Sequence, residues 1–299
     1  IYGLGTQSQQ LPAFVAMNLL TDGMQHPQAA GWGTGFLPTR YQGTVVQPDK
    51  GIRDVHMPSG VSDRRRRMEL EAIKTMNRRF LDSVGAHSEL EARIRSYDMA
   101  FRMQTAAPEL FDIDAESRQT LKLYGLEDKE TQTTGRACLL ARRMVERGVR
   151  FVQIRVGGWD AHGNIKGNHE KMARRTDRPI AALIDDLKRR NLLDSTLLLW
   201  AGEFGRTPTM EGRGKGRDHS PAAYSVWLSG GGVRGGQIIG STDPIGYTVT
   251  ERPVQPNDLH ATILHALGID SERLIYDHHG LKETPLGVTG GAPVVEAFA

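Results

Sequence analysis

From residue 149 onward the hydrophobic positions switch between two rhythms. Residues 150–156 (RFVQIRV) alternate apolar and polar with period two, the pattern of a strand, and stop at Gly157-Gly158. Ile180, Leu183, Ile184 and Leu187 then fall on one stripe, which predicts a helix over about 169–191. Residues 196–201 (TLLLWA) form a continuous apolar run, the pattern of a strand buried on both faces. Residues 224–228 and 237–239 predict two more strands, and 259–267 a short apolar helix. Upstream, 61–148 reads as helical. Ser62 or Asp63 caps a helix to about residue 83, with Met68, Ile73, Met76, Phe80 and Leu81 at helical spacing. Ser88 with Glu91 makes a capping box for a helix through Met103. Two more helices fit 116–124, stopped by Gly125, and 134–147, ended by Gly148. Residues 1–60 are rich in Gly, Pro and Gln and predict irregular structure with one strand at 13–17. Helices and strands alternating across short Gly-rich joins predict an α/β layered fold with a mostly parallel sheet.

Composition narrows the function classes. The 299 residues carry 38 Lys plus Arg against 35 Asp plus Glu, a net charge of +3. That balance is too even for a general polyanion binder. The arginine run Arg64–Arg67 spreads over all faces of a helix and has no aromatic platform beside it, so no nucleic-acid partner is expected. No apolar run approaches the roughly 18 residues that span a membrane. The single cysteine, Cys138, excludes an internal disulfide framework, and its apolar neighbours predict a buried core residue. The first residue is Ile1 and no signal peptide is visible.

In parallel α/β sheets, sites lie beyond the carboxyl ends of strands. That rule selects Gly157–His162 (GGWDAH), Gly202–Pro208 (GEFGRTP) and, in the loop before the next strand, Arg217–Pro221 (RDHSP). Asp160 and His162 are two apart and face one side of an extended segment. Asp, Glu and His are the ligand types for zinc, manganese or magnesium. The bland alternative has Asp160 capping a turn and His162 against Trp159. Glu203 is a ligand, a base, or half of an ion pair with Arg206; Arg206 is also suited to an anion by its planar fork. In residues 212–217 (GRGKGR), Arg213, Lys215 and Arg217 alternate with glycine and are candidate anion-binding residues, against the reading of a mobile surface loop. Asp218-His219 offers a ligand or a proton-transfer His beside its carboxylate. His260 and His265 read as one packed and one exposed residue, and His278-His279 as an incidental pair.

Taken together, these strings resemble the bacterial family called domain of unknown function 1501, of the alkaline phosphatase-like, sulfatase-like superfamily. The resemblance rests on Tyr2–Thr6, Gly35–Pro38, Gly157–His162, Gly202–Pro208, Gly216–His219, Trp227–Gly232 and Asp258–Leu264, and runs over essentially the whole chain. It implies a three-layer α/β/α sandwich with a helical insertion: a single domain with 1–60 loop-rich, 61–148 helical and 149–299 the α/β core. It further implies a divalent ion (zinc, manganese, calcium or magnesium) held by Asp160, His162, Glu203, Asp218 and His219, with His219, Glu203 and Arg206 catalytic. The expected substrate is a small anionic ester, sulfated or phosphorylated, and the expected place is outside the cytoplasm. Phe204 stands where the superfamily has a ligand, and the Asp160–His162 spacing is shorter than usual there. No Gly-Gly-Pro-Ser-type motif precedes Tyr2, so the chain is expected to lack an N-terminal part with the nucleophile. A non-catalytic hydrolase fold that binds an anionic glycan or a protein is the competing expectation.

Overall fold

The computed structural model describes residues 1–6, 8, 10–19, 34–38, 41–50, 62–84, 94, 108–211 and 215–298. The expected helix from Ser88 to Met103 falls almost wholly outside them, as does Arg213. The chain divides into two compact units, Ile1–Val156 and Gly157–Ala299. Among the described residues it is a mixed α/β structure: one three-stranded parallel sheet and four two-stranded antiparallel pairs.

The first unit is built on β1 (Phe14–Asn18), which lies between β2 (Thr44–Val46) and β3 (Phe151–Arg155). Both neighbours run parallel to it, with Val15 opposite Thr44 and Phe14 opposite Phe151. The two phenylalanine rings meet edge to face at 5.2 Å, a favoured aromatic geometry. Val15, Ala16 and Met17 are buried, as the central place of β1 requires.

Helix α1 (Asp63–Val84) forms where predicted, but Met68, Ile73, Met76 and Phe80 are exposed on it. Charged residues interrupt that stripe, and the helix carries ion pairs such as Arg65–Glu69 at 3.0 Å and Lys74–Glu71 at 3.0 Å. Helix α2 (Arg118–Leu123) starts at Ser117, whose Oγ accepts the Thr120 N–H, and ends before Gly125 at φ 72°. Helix α3 (Gln132–Glu146) supplies the rest of this core through Ala137, Cys138, Leu139, Leu140 and Met144. It approaches α2 closely: a Cβ on Gly135 would lie 2.1 Å from the Tyr124 carbonyl oxygen. Burial pushes the Cys138 thiol up to about 12, so it is an inert core residue.

On α3, Arg142 and Arg143 are buried and converge on Glu116. Arg142 bonds Glu116 at 2.8 Å and Glu146 at 2.6 Å, and Arg143 adds the Leu110 carbonyl at 2.9 Å. Burial alone would raise the Glu116 pKa, but hydrogen bonds and charge from Arg142 and Arg143 outweigh it and hold the carboxyl below its usual range.

The second unit opens with α4 (Ile165–Arg189), four residues ahead of the predicted start. The apolar run at 196–201 yields only β4 (Leu198–Trp200). It pairs antiparallel with β7 (Trp227–Ser229), and Leu199 and Trp200 stay about 40% exposed. The expected strand buried on both faces is therefore not formed. Cross-strand partners replace it: Leu199 opposes Leu228, and Trp200 stacks on Trp227 at 6.5 Å. Between them lie β5 (Gly205–Arg206) and β6 (His219–Ser220), which pair with each other.

Residues 237–239 are not a strand. Gly236 and Gly240 flank them at positive φ, and Ile238 is exposed. Instead β8 (Ser241–Thr242) pairs with β9 (Val249–Glu251) around Asp243, whose carboxylate accepts the Ile245, Tyr247 and Thr248 N–H groups. Helix α5 (Pro256–Ala266) begins at a capping box of Gln255 and Asp258, with Pro256 in its first turn. His260 and His265 are both exposed, which corrects the packed-and-exposed reading; the helix buries Ala261 and Thr262 instead. A hairpin of β10 (Tyr276–His278) and β11 (Leu281–Glu283) follows.

The Glu116 cluster makes the first prediction. Glu116→Ala leaves two buried guanidinium groups without their shared carboxylate, a class of change that costs about 3–5 kcal/mol. Because the folded pKa of Glu116 is lowered, its contribution is fully present above the ordinary carboxylate pKa. It is lost as pH falls through the folded value. Urea unfolding at neutral pH should show the full gap between wild type and Glu116→Ala, and the gap should narrow as the pH is lowered.

Candidate functional site

The second unit gathers its polar groups by a backbone ladder. Residues 215–220 run between two other segments. On one side, Arg217 N–H donates to the Ala161 carbonyl at 3.0 Å and Ile165 N–H to the Lys215 carbonyl at 3.3 Å. On the other, Thr207 N–H donates to the Asp218 carbonyl at 2.9 Å and Glu211 N–H to the Gly216 carbonyl at 3.1 Å. Arg206 stands opposite His219 in this register. Gly216 permits the approach: a Cβ there would lie 2.0 Å from the His162 carbonyl carbon. Gly205 does the same on the far side, where a Cβ would lie 1.8 Å from the Ala223 carbonyl oxygen.

Three side chains meet on this ladder. Asp160 Oδ1 lies 2.9 Å from His162 Nε2 and 3.1 Å from His219 Nε2, and the two Nε2 atoms are 3.2 Å apart. The other face of the His162 ring meets Glu211, with Nδ1 2.6 Å from Oε2. Arg206 forks between the Asp160 and Glu203 carboxylates, the latter at 3.2 Å. Phe204 packs its ring 4.5 Å from that of His219, and the Arg206 guanidinium lies 5.3 Å from the same Phe204 ring. Asp218 accepts the backbone N–H of His219 at 2.7 Å.

Electrostatics follow from these contacts. Burial would raise the Asp160 pKa, but hydrogen bonds from His219 and Arg206 outweigh it, and the carboxyl sits below its usual range. The hydrogen bond to Glu211, aided by the Asp160 charge, holds the His162 pKa above that of a free imidazole.

Two groups of side chains offer ligand atoms within 4.8 Å of one another: Asp160, His162 and His219, and His162, Glu211 and Asp218. The first fits a divalent ion by its donor set and spacing. Metal–nitrogen bonds of about 2.0–2.1 Å in a tetrahedron place ligand atoms about 3.3 Å apart. The observed triangle, at 2.9, 3.1 and 3.2 Å, is close to that edge.

Of the residues selected from sequence, Asp160, His162, Arg206, Asp218 and His219 come together. Glu203 touches the cluster only through Arg206, and its side chain is 64% exposed. Arg217 Nη1 donates to the Gly216 carbonyl at 3.0 Å, and Lys215 holds the ladder through its backbone at φ 53°. Trp159 meets His169 and Trp200 rather than His162, so the bland packing of His162 is not the one seen. The residue missed by sequence reading is Glu211. Its signal is its place across from Gly216 in a hairpin, visible only once the 205–220 segment is read as paired strands.

Compared with known families, residues 1–298 match the one described as "Protein of unknown function (DUF1501)". The chain belongs to that family. No curated protein and no solved structure matches it. Among the described residues, no helix is long and apolar enough to cross a membrane.

Gly216→Ala should break this arrangement. The methyl forces the 215–220 segment off His162, and overpacking of this kind costs about 1–3 kcal/mol. A lowered melting temperature together with loss of cation binding is the expected pair of results. Isothermal titration and thermal unfolding of the same preparation check it.

Proposed function

We propose that this chain is a metal-dependent hydrolase of phosphate or sulfate esters, built on a three-layer α/β/α sandwich of the alkaline phosphatase-like kind. One observation carries the reading: the Asp160, His162 and His219 ligand atoms form a triangle of metal-ligand spacing with a guanidinium beside it. A divalent ion there would supply Lewis-acid polarisation of an ester oxygen.

The chain's own residues do the rest. Asp160, His162 and His219 would hold the cation with one carboxylate oxygen and two imidazole nitrogens. Arg206 shares Asp160 Oδ1 with both histidines, so with Asp160 engaged by a cation one branch of the Arg206 fork would be open to the tetrahedral anion while the other stays on Glu203. His219 is a ligand in this scheme, so proton transfer falls to Glu203, which is exposed and outside the triangle. The Lys215 side chain is exposed beside the ladder, and Lys215 and Arg217 remain candidates for the anion in this reading. An exported location belongs to the same proposal.

Phe204 favours a second reading, a non-catalytic module for an anionic glycan. It brings an apolar ring against His219 where a second cation's ligand would be needed.

The test is metal content by mass spectrometry after loading with zinc, manganese, calcium or magnesium. Hydrolysis of nitrophenyl phosphate and nitrophenyl sulfate is assayed beside it. We expect one ion per chain, lost in Asp160→Ala and in His219→Ala. Arg206→Ala should keep the ion and lower kcat/KM by about 10²-fold, the scale of losing a charge-stabilising donor. A wild-type chain that takes up no ion overturns the hydrolase reading. A loaded chain that binds sulfated glycan without turnover supports the second.

A further inference from the structure

Glu211 was not among the residues that the sequence singled out, yet it makes the shortest contact to the imidazole at the centre of the cluster. His162 is shared by both potential ligand groups, one on each ring nitrogen. A neutral imidazole has one lone pair and one N–H. If Nδ1 carries the proton, it donates to Glu211 Oε2 and the lone pair on Nε2 points at Asp160 and His219. If Nε2 carries it, the proton points at Asp160 and the lone pair faces Glu211. The ring therefore serves one group or the other, never both.

Three observations choose the first arrangement. The Nε2 side offers a cation two further ligand atoms, Asp160 Oδ1 at 2.9 Å and His219 Nε2 at 3.2 Å, whereas without a cation Asp160 is the weaker, longer acceptor competing with Glu211 for the ring proton. The Nδ1 side has a carboxylate oxygen at 2.6 Å, the distance of a charge-assisted hydrogen bond with Nδ1–H as donor. Asp218, the third member of the other group, spends an oxygen on the His219 N–H at 2.7 Å.

Glu211 is itself fixed by the ladder. Its N–H donates to Gly216, whose missing side chain lets the same segment lie on the His162 backbone. One glycine thus sets the distance between the imidazole and its carboxylate.

We propose that Glu211 is the positioning residue of the metal centre: its carboxylate accepts the Nδ1–H of His162 and so presents Nε2 to a cation shared with Asp160 and His219. The proposal rests on the metal reading above and adds to it the group that fixes the ligand's tautomer. Carboxylate–histidine–metal triads of this kind change metal affinity by about 10–100-fold when the outer carboxylate is removed.

The experiment uses the full chain, metal-free and then titrated with zinc, as wild type, Glu211→Ala, Glu211→Gln and His162→Ala. Calorimetry gives affinity and stoichiometry. Nitrogen-15 NMR of histidine-labelled, metal-free protein gives the His162 tautomer with the ring neutral. The expected result is one site in the wild type, and an affinity about 10–100-fold weaker in Glu211→Ala at unchanged stoichiometry. Glu211→Gln keeps an acceptor oxygen and should recover part of the loss. His162→Ala should lose the site. The metal-free wild type should carry its proton on Nδ1, and Glu211→Ala should shift it toward Nε2. Affinity or tautomer unmoved in Glu211→Ala overturns the proposal while the metal reading stands. Two ions in the wild type and one in Glu211→Ala overturn it too, because Glu211 would then be a ligand. No ion in the wild type with the expected tautomer shift keeps Glu211 as the orienting group and overturns the cation, so the two failures are told apart.

Discussion

Everything at the site depends on how closely the 215–220 segment can lie against residues 161–165. The ion pairs around Asp160 cannot supply that closeness. His162, Asp160 and His219 are each more than 40% exposed, and pairs at such sites are weak because solvent screens them. The backbone ladder can: Arg217 to Ala161, Ile165 to Lys215, Glu211 to Gly216 and Thr207 to Asp218 fix four points of the ribbon. Two of the contacts exclude any side chain larger than hydrogen, at Gly216 and Gly205. The imidazoles and the carboxylate are then brought to about 3 Å by backbone geometry, and the charges are arranged on top of it.

The first unit handles charge in the opposite way. Arg142 and Arg143 lie in the core beside Leu139, Leu140 and Met144, where an unpaired guanidinium would be costly. Glu116, Glu146 and the Leu110 and Glu109 carbonyls pair with them. A cluster of this sort is weak evidence of net stabilisation but strong evidence of fixed placement, since losing one member strands the rest. It ties α3 to the residues just before α2. The exposed cluster of the second unit keeps its groups within reach of solvent and of a ligand; the buried one spends its groups on the fold.

Much of this was legible in the sequence. Period-two alternation found β3, a helical stripe found α4, and the glycines after 124 and 147 marked where α2 and α3 stop. The resemblance to the DUF1501 family, read on strings that include Asp160, Arg206 and His219, agrees with the family match over residues 1–298. What failed shares one cause: a short apolar run does not say what it pairs with. Residues 196–201 read as a doubly buried parallel strand, yet Leu199 and Trp200 satisfy themselves against Leu228 and Trp227 in an antiparallel pair. Residues 237–239 (QII) hold two apolar residues but sit between two positive-φ glycines that turn the chain on either side. Glu211 was invisible for the same reason. Its role exists only through the register that sets it across from Gly216, and register is a property of the folded pair.

Phe204 shows how the aromatic and ionic parts of the site fit together. A ligand at this place would make room for a second cation; a phenyl ring does not. Its ring lies 4.5 Å from that of His219, and the Arg206 guanidinium lies 5.3 Å from the same ring. A cation over an aromatic face gains about 0.5–1 kcal/mol at an exposed site, comparable to one of the surface ion pairs. Phe204 therefore restrains two groups at once, the imidazole that would hold the metal and the guanidinium that would meet the anion. Restraint of both from one ring keeps Arg206 beside Asp160, and the phenyl ring gives that arginine a surface to lie on.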